Sequence, residues 1–291
     1  MLRTRPWVPY LYVLPMLGLL GLVFGYSIVR VFDFSTRFIR GASGPFVGLD
    51  NYRLVLDDPT FRLAAKHSAI LLLAVPALLA ISLLVSVLLF ERARGWRLYR
   101  STVFLPYVLA VPIVGIIFGY LLQLNGVLNE ALRKIGLDAL ALDWLGSEDI
   151  ALWSVLGVIV WREVGFGIVL FLARLTTLDE SQLEAARIDG AGWWRRLRHV
   201  IVPQIRGTIE FYTVVATITM LAWVFAYIWT LTLGGPGNAT QIVELYIYNT
   251  GVRNSLPGMA AAVAVLLLLT TLVLIAVLFR IRTRTAEDEG A

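Results

Sequence analysis

The chain has 291 residues, of which 58% are hydrophobic and 15% charged, with a formal net charge of +5 and no cysteine. Globular domains carry about 25% charged residues, so an ordinary soluble domain is excluded. Disulfides, thiol catalysis and cysteine-ligated metals are excluded too, and the modest positive charge does not point to nucleic acid.

Six apolar runs organise the chain. Tyr10–Val29, Ser68–Phe90, Ser101–Asn129, Phe211–Val243 and Ser255–Phe279 contain no Asp, Glu, Lys or Arg, and Ile150–Ala173 is apolar apart from Arg162 and Glu163. A helix needs about 20 residues to cross a bilayer, and backbone polar groups inside lipid must be satisfied within the segment. The expected fold is an all-α polytopic membrane protein with six transmembrane helices, forming a single transmembrane domain over residues 1–291 in contact with the lipid bilayer.

In chain order, the first span is expected over Tyr10–Phe32. Its Arg3/Arg5 start resembles a signal peptide, but the uncharged run is longer than a usual signal core, which favours a retained helix. A loop over Asp33–His67 holds Phe46–Phe61, with a short amphipathic helix. The second span covers Ser68–Phe90, and a tight turn over Glu91–Arg100 carries four arginines. The third span, from Ser101, contains Pro106 and Pro112, expected to bend the helix rather than end it. The fourth is Ile150–Ala173, the fifth Thr208–Leu233 and the sixth Pro257–Phe279. Gly234–Gly237, read Gly-Gly-Pro-Gly, marks a sharp turn after the fifth span.

With the N-terminus inside, the 25 basic residues divide into 15 on inner segments and 8 on outer ones, with Arg30 and Arg162 in or beside spans. This asymmetry predicts both termini in the cytoplasm and basic inner loops facing anionic headgroups. ATP chemistry is missing from the chain. Neither of its two lysines, Lys66 and Lys134, sits in a phosphate-binding Gly-x4-Gly-Lys-Ser/Thr pattern. His67 and His199 fall in loops on opposite sides as solvated polar residues, so no metal site and no cofactor is expected.

Two constellations lie inside spans. Arg162 and Glu163 would cost roughly 2.5–3.5 kcal/mol each in lipid, so they should face the bundle interior or water. Sequence neighbours do not face each other on a helix, so each needs a partner from another helix or subunit, either as pathway residues or as a structural pair. Thr219, Trp223, Tyr227 and Thr230 share one helix face by spacing. Rings and hydroxyls on such a face suit a sugar, while the alternative is ordinary packing or lipid contact. Leu221, Val224 and Ala226 around them are apolar.

The polar segment Glu184–Pro203 carries the most specific signal. Glu184, Ala185, Ala186, Asp189, Gly190, Ala191 and Pro203 match the E-A-A-x-x-D-G-A…P signature, with Leu197, Val200 and Val202 at its remaining apolar positions. This resembles the "EAA" loop of permease subunits in binding-protein-dependent ABC importers. Phe46–Tyr52 (F-V-G-L-D-N-Y) and Leu231–Pro236 (L-T-L-G-G-P) resemble segments of the carbohydrate-type branch, which includes the maltose and glycerol-phosphate permeases.

The resemblance implies a cytoplasmic coupling loop over residues 174–207 that docks on an ATPase, in a type I importer fold. It implies a second permease subunit, two ATP-binding subunits and an extracytoplasmic solute-binding protein, assembled in the plasma (inner) membrane. ATP hydrolysis would belong to the partners, and this chain would move a sugar or polyol by alternating access. Read from the residues, Glu184 falls in the first turn of a helix, Gly190 joins two short helices, and Trp193, Trp194 and Leu197 form an apolar stripe opposed by Arg195, Arg196 and Arg198. An interfacial helix on the lipid surface is the alternative for this segment. For the chain, the alternatives are a permease for another solute and an ion-coupled secondary transporter, which would want several intramembrane acids where only Glu163 qualifies.

Overall fold

A computed structural model describes residues 8–39, 44–91 and 96–288, and they are almost wholly helical. Among them the only strand-like pairing is an isolated bridge between Arg37 and Phe46. The first span joins α1 (Val8–Leu20), a π-helical turn (Gly21–Gly25) and α2 (Tyr26–Ser35). After α3 (Asp50–Asp57), α4 (Pro59–Leu71) and α5 (Ala74–Phe90) make the second. The third pairs α6 (Trp96–Val108) with α7 (Val111–Leu121), followed by the short α8 (Val127–Lys134). The fourth is α9 (Ala151–Leu175). Then come α10 (Glu180–Ile188), α11 (Trp193–Arg196), a π-helical turn (Leu197–Ile201), α12 (Val202–Ala222), α13 (Phe225–Leu231), α14 (Val243–Tyr248) and α15 (Pro257–Asp288).

Four stretches cross as unbroken candidates, Tyr10–Ser35, Pro59–Phe90, Ala151–Leu175 and Pro257–Arg280, and two bent pairs complete the six. The bends correct the expected outline. The third span breaks by 108° between Val108 and Val111, with Ala110 extended and Pro112 in the first turn of α7, where a missing N–H costs nothing. The fifth span starts well before Thr208 and breaks by 47° between Ala222 and Phe225. There the Val224 N–H leaves the helix ladder and donates to the Glu244 carboxylate, 3.1 Å away. The second span begins at Pro59, so His67 lies in a helix and not in a loop. It is buried, with Nδ1 2.9 Å from the Gln241 carbonyl.

The chain forms two compact units. In the first, Met1–Arg62 with Tyr246–Thr270, the Phe46–Tyr52 segment is a clamp. Asn51 is buried, and its amide donates to the carbonyls of Ser35 and Arg37, both at 2.9 Å. Tyr52 donates to the Ser35 hydroxyl at 2.7 Å. These bonds satisfy the last carbonyl of α2, at Ser35, and the Arg37 carbonyl just beyond it, and fix the direction of the chain leaving the first span. Tyr246 donates to Asp58 at 2.6 Å and packs edge-on against Phe61.

In the second unit, Leu63–Leu245 with Thr271–Ala291, α5 and α6 pack along α9, α12 packs on both α5 and α9, and α13 packs on α7. Association inside a bilayer relies on close packing and hydrogen bonds rather than water exclusion. Accordingly the α5 face carries the buried Ser82 and Ser86, and Ser82 donates to the Val164 carbonyl at 3.1 Å. Gly115 of α7 lets α13 approach, since a Cβ there would lie 1.9 Å from the Thr230 hydroxyl.

Candidate functional site

Two sites stand out in the second unit. The first is the segment after α9. Asp179 caps α10, its Oδ1 accepting the Ser181 N–H at 2.9 Å, and that bond holds its carboxyl below the ordinary range. The helix therefore starts one turn earlier than the sequence suggested, and Glu184 sits in the second turn, exposed. At the other end Gly190 N–H bonds to the Arg187 carbonyl and Ala191 N–H to the Ala186 carbonyl, the paired bonds of a Schellman stop. Gly190 has φ +71, a conformation that favours glycine.

Beyond the turn the expected apolar stripe divides. Leu197 is buried, Trp193 is half-buried and Trp194 is exposed. Arg196 turns inward: its guanidinium donates to Glu91 at 2.9 Å and to the Ala191 carbonyl at 3.1 Å. Trp193 Nε1 also donates to Glu91, at 2.9 Å. On the outside two large apolar side chains stand among polar ones: Ile188 is 87% exposed and Trp194 69%, with Arg187, Arg195, Arg198 and His199 exposed around them. Ala185 and Asp189 are exposed beside them, Ala186 and Ala191 are half-buried, and Pro203 is exposed in the first turn of α12.

The second site is a cavity of about 380 Å³ lined by Arg162, Glu163, Thr219, Trp223, Tyr227 and Tyr107, with Val111, Val215 and Ile218 completing it. Arg162 and Glu163 pair with each other, against the expectation that neighbours on a helix stay apart. Both side chains are long, and both curl toward the Tyr227 hydroxyl. That hydroxyl donates to Glu163 at 2.6 Å and accepts from Arg162 at 3.2 Å. Arg162 Nε donates to the Leu109 carbonyl at 2.9 Å, beside the break in the third span, and the guanidinium lies over the Tyr107 ring at 5.2 Å. The pair is thus satisfied within the chain.

Thr219, Trp223 and Tyr227 reach this cavity, but Thr230 does not. Tyr227 and Thr230 both lie on α13, beyond the break, and Thr230, nearly one turn further along, packs on Gly115 of α7 with its hydroxyl bonded to the Ala226 carbonyl at 2.7 Å. Two residues outside the expected sites shape them: Glu91, which grips the segment after α9, and Glu244, which supports the break. Burial pushes the Glu244 carboxyl up to about 7, against the backbone N–H groups of Val224 and Phe225, which pull it down. The only sequence signal for either is an acid beside a long uncharged run. Among the described residues no cluster of His, Cys, Asp and Glu could hold a metal ion.

The chain belongs to the family of binding-protein-dependent transport system inner membrane components, whose pattern matches residues 58–285. It is therefore a membrane component of such a transport system, and the ion-coupled alternative is set aside. A probable ABC transporter permease of Bacillus subtilis is 31% identical over 271 residues, covering 91% of this chain and 92% of the relative. The lactose transport system permease of Rhizobium radiobacter is 32% identical, covering 82% of each. The fold is similar to that of a bacterial alginate ABC transporter crystallised with an alginate pentasaccharide-bound periplasmic protein. That match has a TM-score of 0.84 and 22% identity, over 97% of this chain and 96% of the other.

Proposed function

We propose that the chain is one permease subunit of an ATP-driven importer for a carbohydrate or related polyol, working by alternating access. The observation that carries this is the segment after α9. Two short helices meet at a glycine stop and leave Ile188 and Trp194 exposed at its outer edge, where nothing among the described residues covers them. A protruding apolar edge with Glu184 and Asp189 alongside suits docking on a protein, here an ATP-binding subunit. The motif residues Ala185, Ala186, Ala191, Leu197 and Pro203 set the shape of that edge. The segment runs directly into α12, whose 21 residues span about 30 Å at the helical rise and end at the cavity residue Trp223. Displacement of the docked segment would thus reach the cavity through one rigid rod.

The cavity chemistry supports the solute class. Trp223, Tyr227 and Tyr107 offer rings for sugar faces, with Thr219 beside them. The one cation lining it, Arg162, is spent on Glu163, which favours a neutral sugar over an acidic one. The solutes of the similar proteins, lactose and alginate, support the carbohydrate class. A second permease would supply the other half of the path, with two ATP-binding subunits below it and a solute-binding protein outside. The 15-to-8 charge division supports both termini in the cytoplasm.

The test is co-purification of the ATP-binding subunits with tagged chain. Ile188→Arg and Trp194→Ala should lose them while the permease still inserts. Retention of the ATP-binding subunits in both variants would refute the docking assignment.

A further inference from the structure

We propose that Glu91 is a positioning residue for ATP coupling, a second linkage that ties the docking segment to the second span. The proposal rests on the reading of Glu184–Pro203 as the ATPase-docking segment. Glu91 caps the C-terminal end of α5, where the helix dipole disfavours a negative charge. An acid in that place needs partners, and among the described residues they come from the docking segment. Oε2 accepts from Trp193 Nε1 and Oε1 from Arg196 Nη2, each at 2.9 Å. Arg187 of α10 approaches Oε1 at 3.9 Å. The Arg196 and Glu91 side chains are only 15% and 20% exposed, so this is not a solvated surface pair.

The same guanidinium holds the Ala191 carbonyl at 3.1 Å, just past the Gly190 turn. One carboxylate thus gathers α10, the turn and α11 onto the end of α5. The covalent chain already connects the segment to α9 on one side and to α12 on the other. Glu91 adds α5, which packs along both. Force on the docked segment is shared among three helices instead of rotating the segment about its two chain ends.

The experiment uses the assembled transporter in proteoliposomes and reads two quantities: co-purification of the ATP-binding subunits, and stimulation of ATP hydrolysis by the purified solute-binding protein. Glu91→Gln and Arg196→Gln should each keep the ATP-binding subunits, because the exposed docking edge is untouched. Each should lower the stimulation roughly tenfold or more, the loss of hydrogen bonds to a charged group. The double variant should be no worse than either single one, because both act through one linkage. Arg196→Lys, which keeps the charge, should retain more stimulation than Arg196→Gln. Unchanged stimulation in Glu91→Gln, or additive losses in the double variant, would overturn the proposal. Loss of the ATP-binding subunits from Glu91→Gln would also overturn it, by making Glu91 part of the dock. The docking reading itself fails separately, through the Ile188 and Trp194 variants.

Discussion

Replacing Glu163 by Gln tests the cavity cluster most directly. In the native chain, Arg162 and Glu163 are each 14% exposed, and the Tyr227 hydroxyl joins them. The substitution keeps the shape and removes one charge, leaving the guanidinium uncompensated in a spanning helix. Breaking a buried pair by removing one partner costs about 3–5 kcal/mol. Tyr227→Phe removes a single hydroxyl from the same cluster and should cost about 1.5–3 kcal/mol. Replacing both charges, Arg162→Met with Glu163→Met, removes the uncompensated charge. It should cost less than Glu163→Gln alone, the remaining penalty being the unpaired Leu109 carbonyl and Tyr227 hydroxyl. The assay is heating of the purified assembly in nanodiscs followed by size-exclusion of what stays folded. At roughly 2–4 °C per kcal/mol, Glu163→Gln should lower the midpoint by on the order of 10 °C. A Glu163→Gln chain as heat-stable as the native one, with the double variant worse than either, would refute the reasoning.

Asn51→Ala should destabilise the chain by about 2–3 kcal/mol, from two lost hydrogen bonds at a buried site. Asn51→Asp should be worse, since a carboxylate would face two carbonyl oxygens; the same heating assay ranks them. Burial pushes the Glu244 carboxyl up to about 7 in the folded chain, from an ordinary 4.5. Its contribution to stability is therefore complete below pH 4.5 and lost as pH rises through 7, by at most ~3 kcal/mol. Heating curves at pH 5 and pH 8 should diverge in the native chain and draw together in Glu244→Gln. The native chain has no cysteine, so Asp138→Cys should react with an impermeant thiol reagent on intact cells, and Ile188→Cys only after permeabilisation. The reverse pattern would invert the topology.

What the sequence made visible was whatever is local. Long uncharged runs give spans because each must close its own backbone hydrogen bonds, and Asp189–Gly190 gives a turn because the φ it needs favours glycine. The rest depends on distant groups. The break in the fifth span is hidden because the N–H it frees is taken by Glu244, twenty residues on. Thr230 shares α13 with Tyr227, but its hydroxyl packs on Gly115 of α7, a contact that helical spacing does not reveal. Trp193 and Arg196 looked like parts of an amphipathic helix because their partner, Glu91, lies about a hundred residues away. Arg162 and Glu163 pair although adjacent positions diverge on a helix, because two long side chains reach one hydroxyl, that of Tyr227.

The F-V-G-L-D-N-Y and E-A-A motifs are equally visible as strings, and both leave large apolar side chains exposed, Phe46 and Leu49 in the first and Ile188 and Trp194 in the second; they differ in where their polar groups are spent. Asn51 is buried with its amide spent on two carbonyls, and Tyr52 is bonded to Ser35. A polar group so satisfied needs nothing further, and its removal is felt as lost stability. The segment around Gly190 spends its polar groups on a distant helix end instead. Its polar anchors, Trp193 and Arg196, are turned inward onto Glu91, while Ile188 and Trp194 face outward. Exposing large apolar side chains is unfavourable, and here they lie on a turn whose hydrogen bonds are already complete. Nothing among the described residues covers them, so this edge is one to test for a partner.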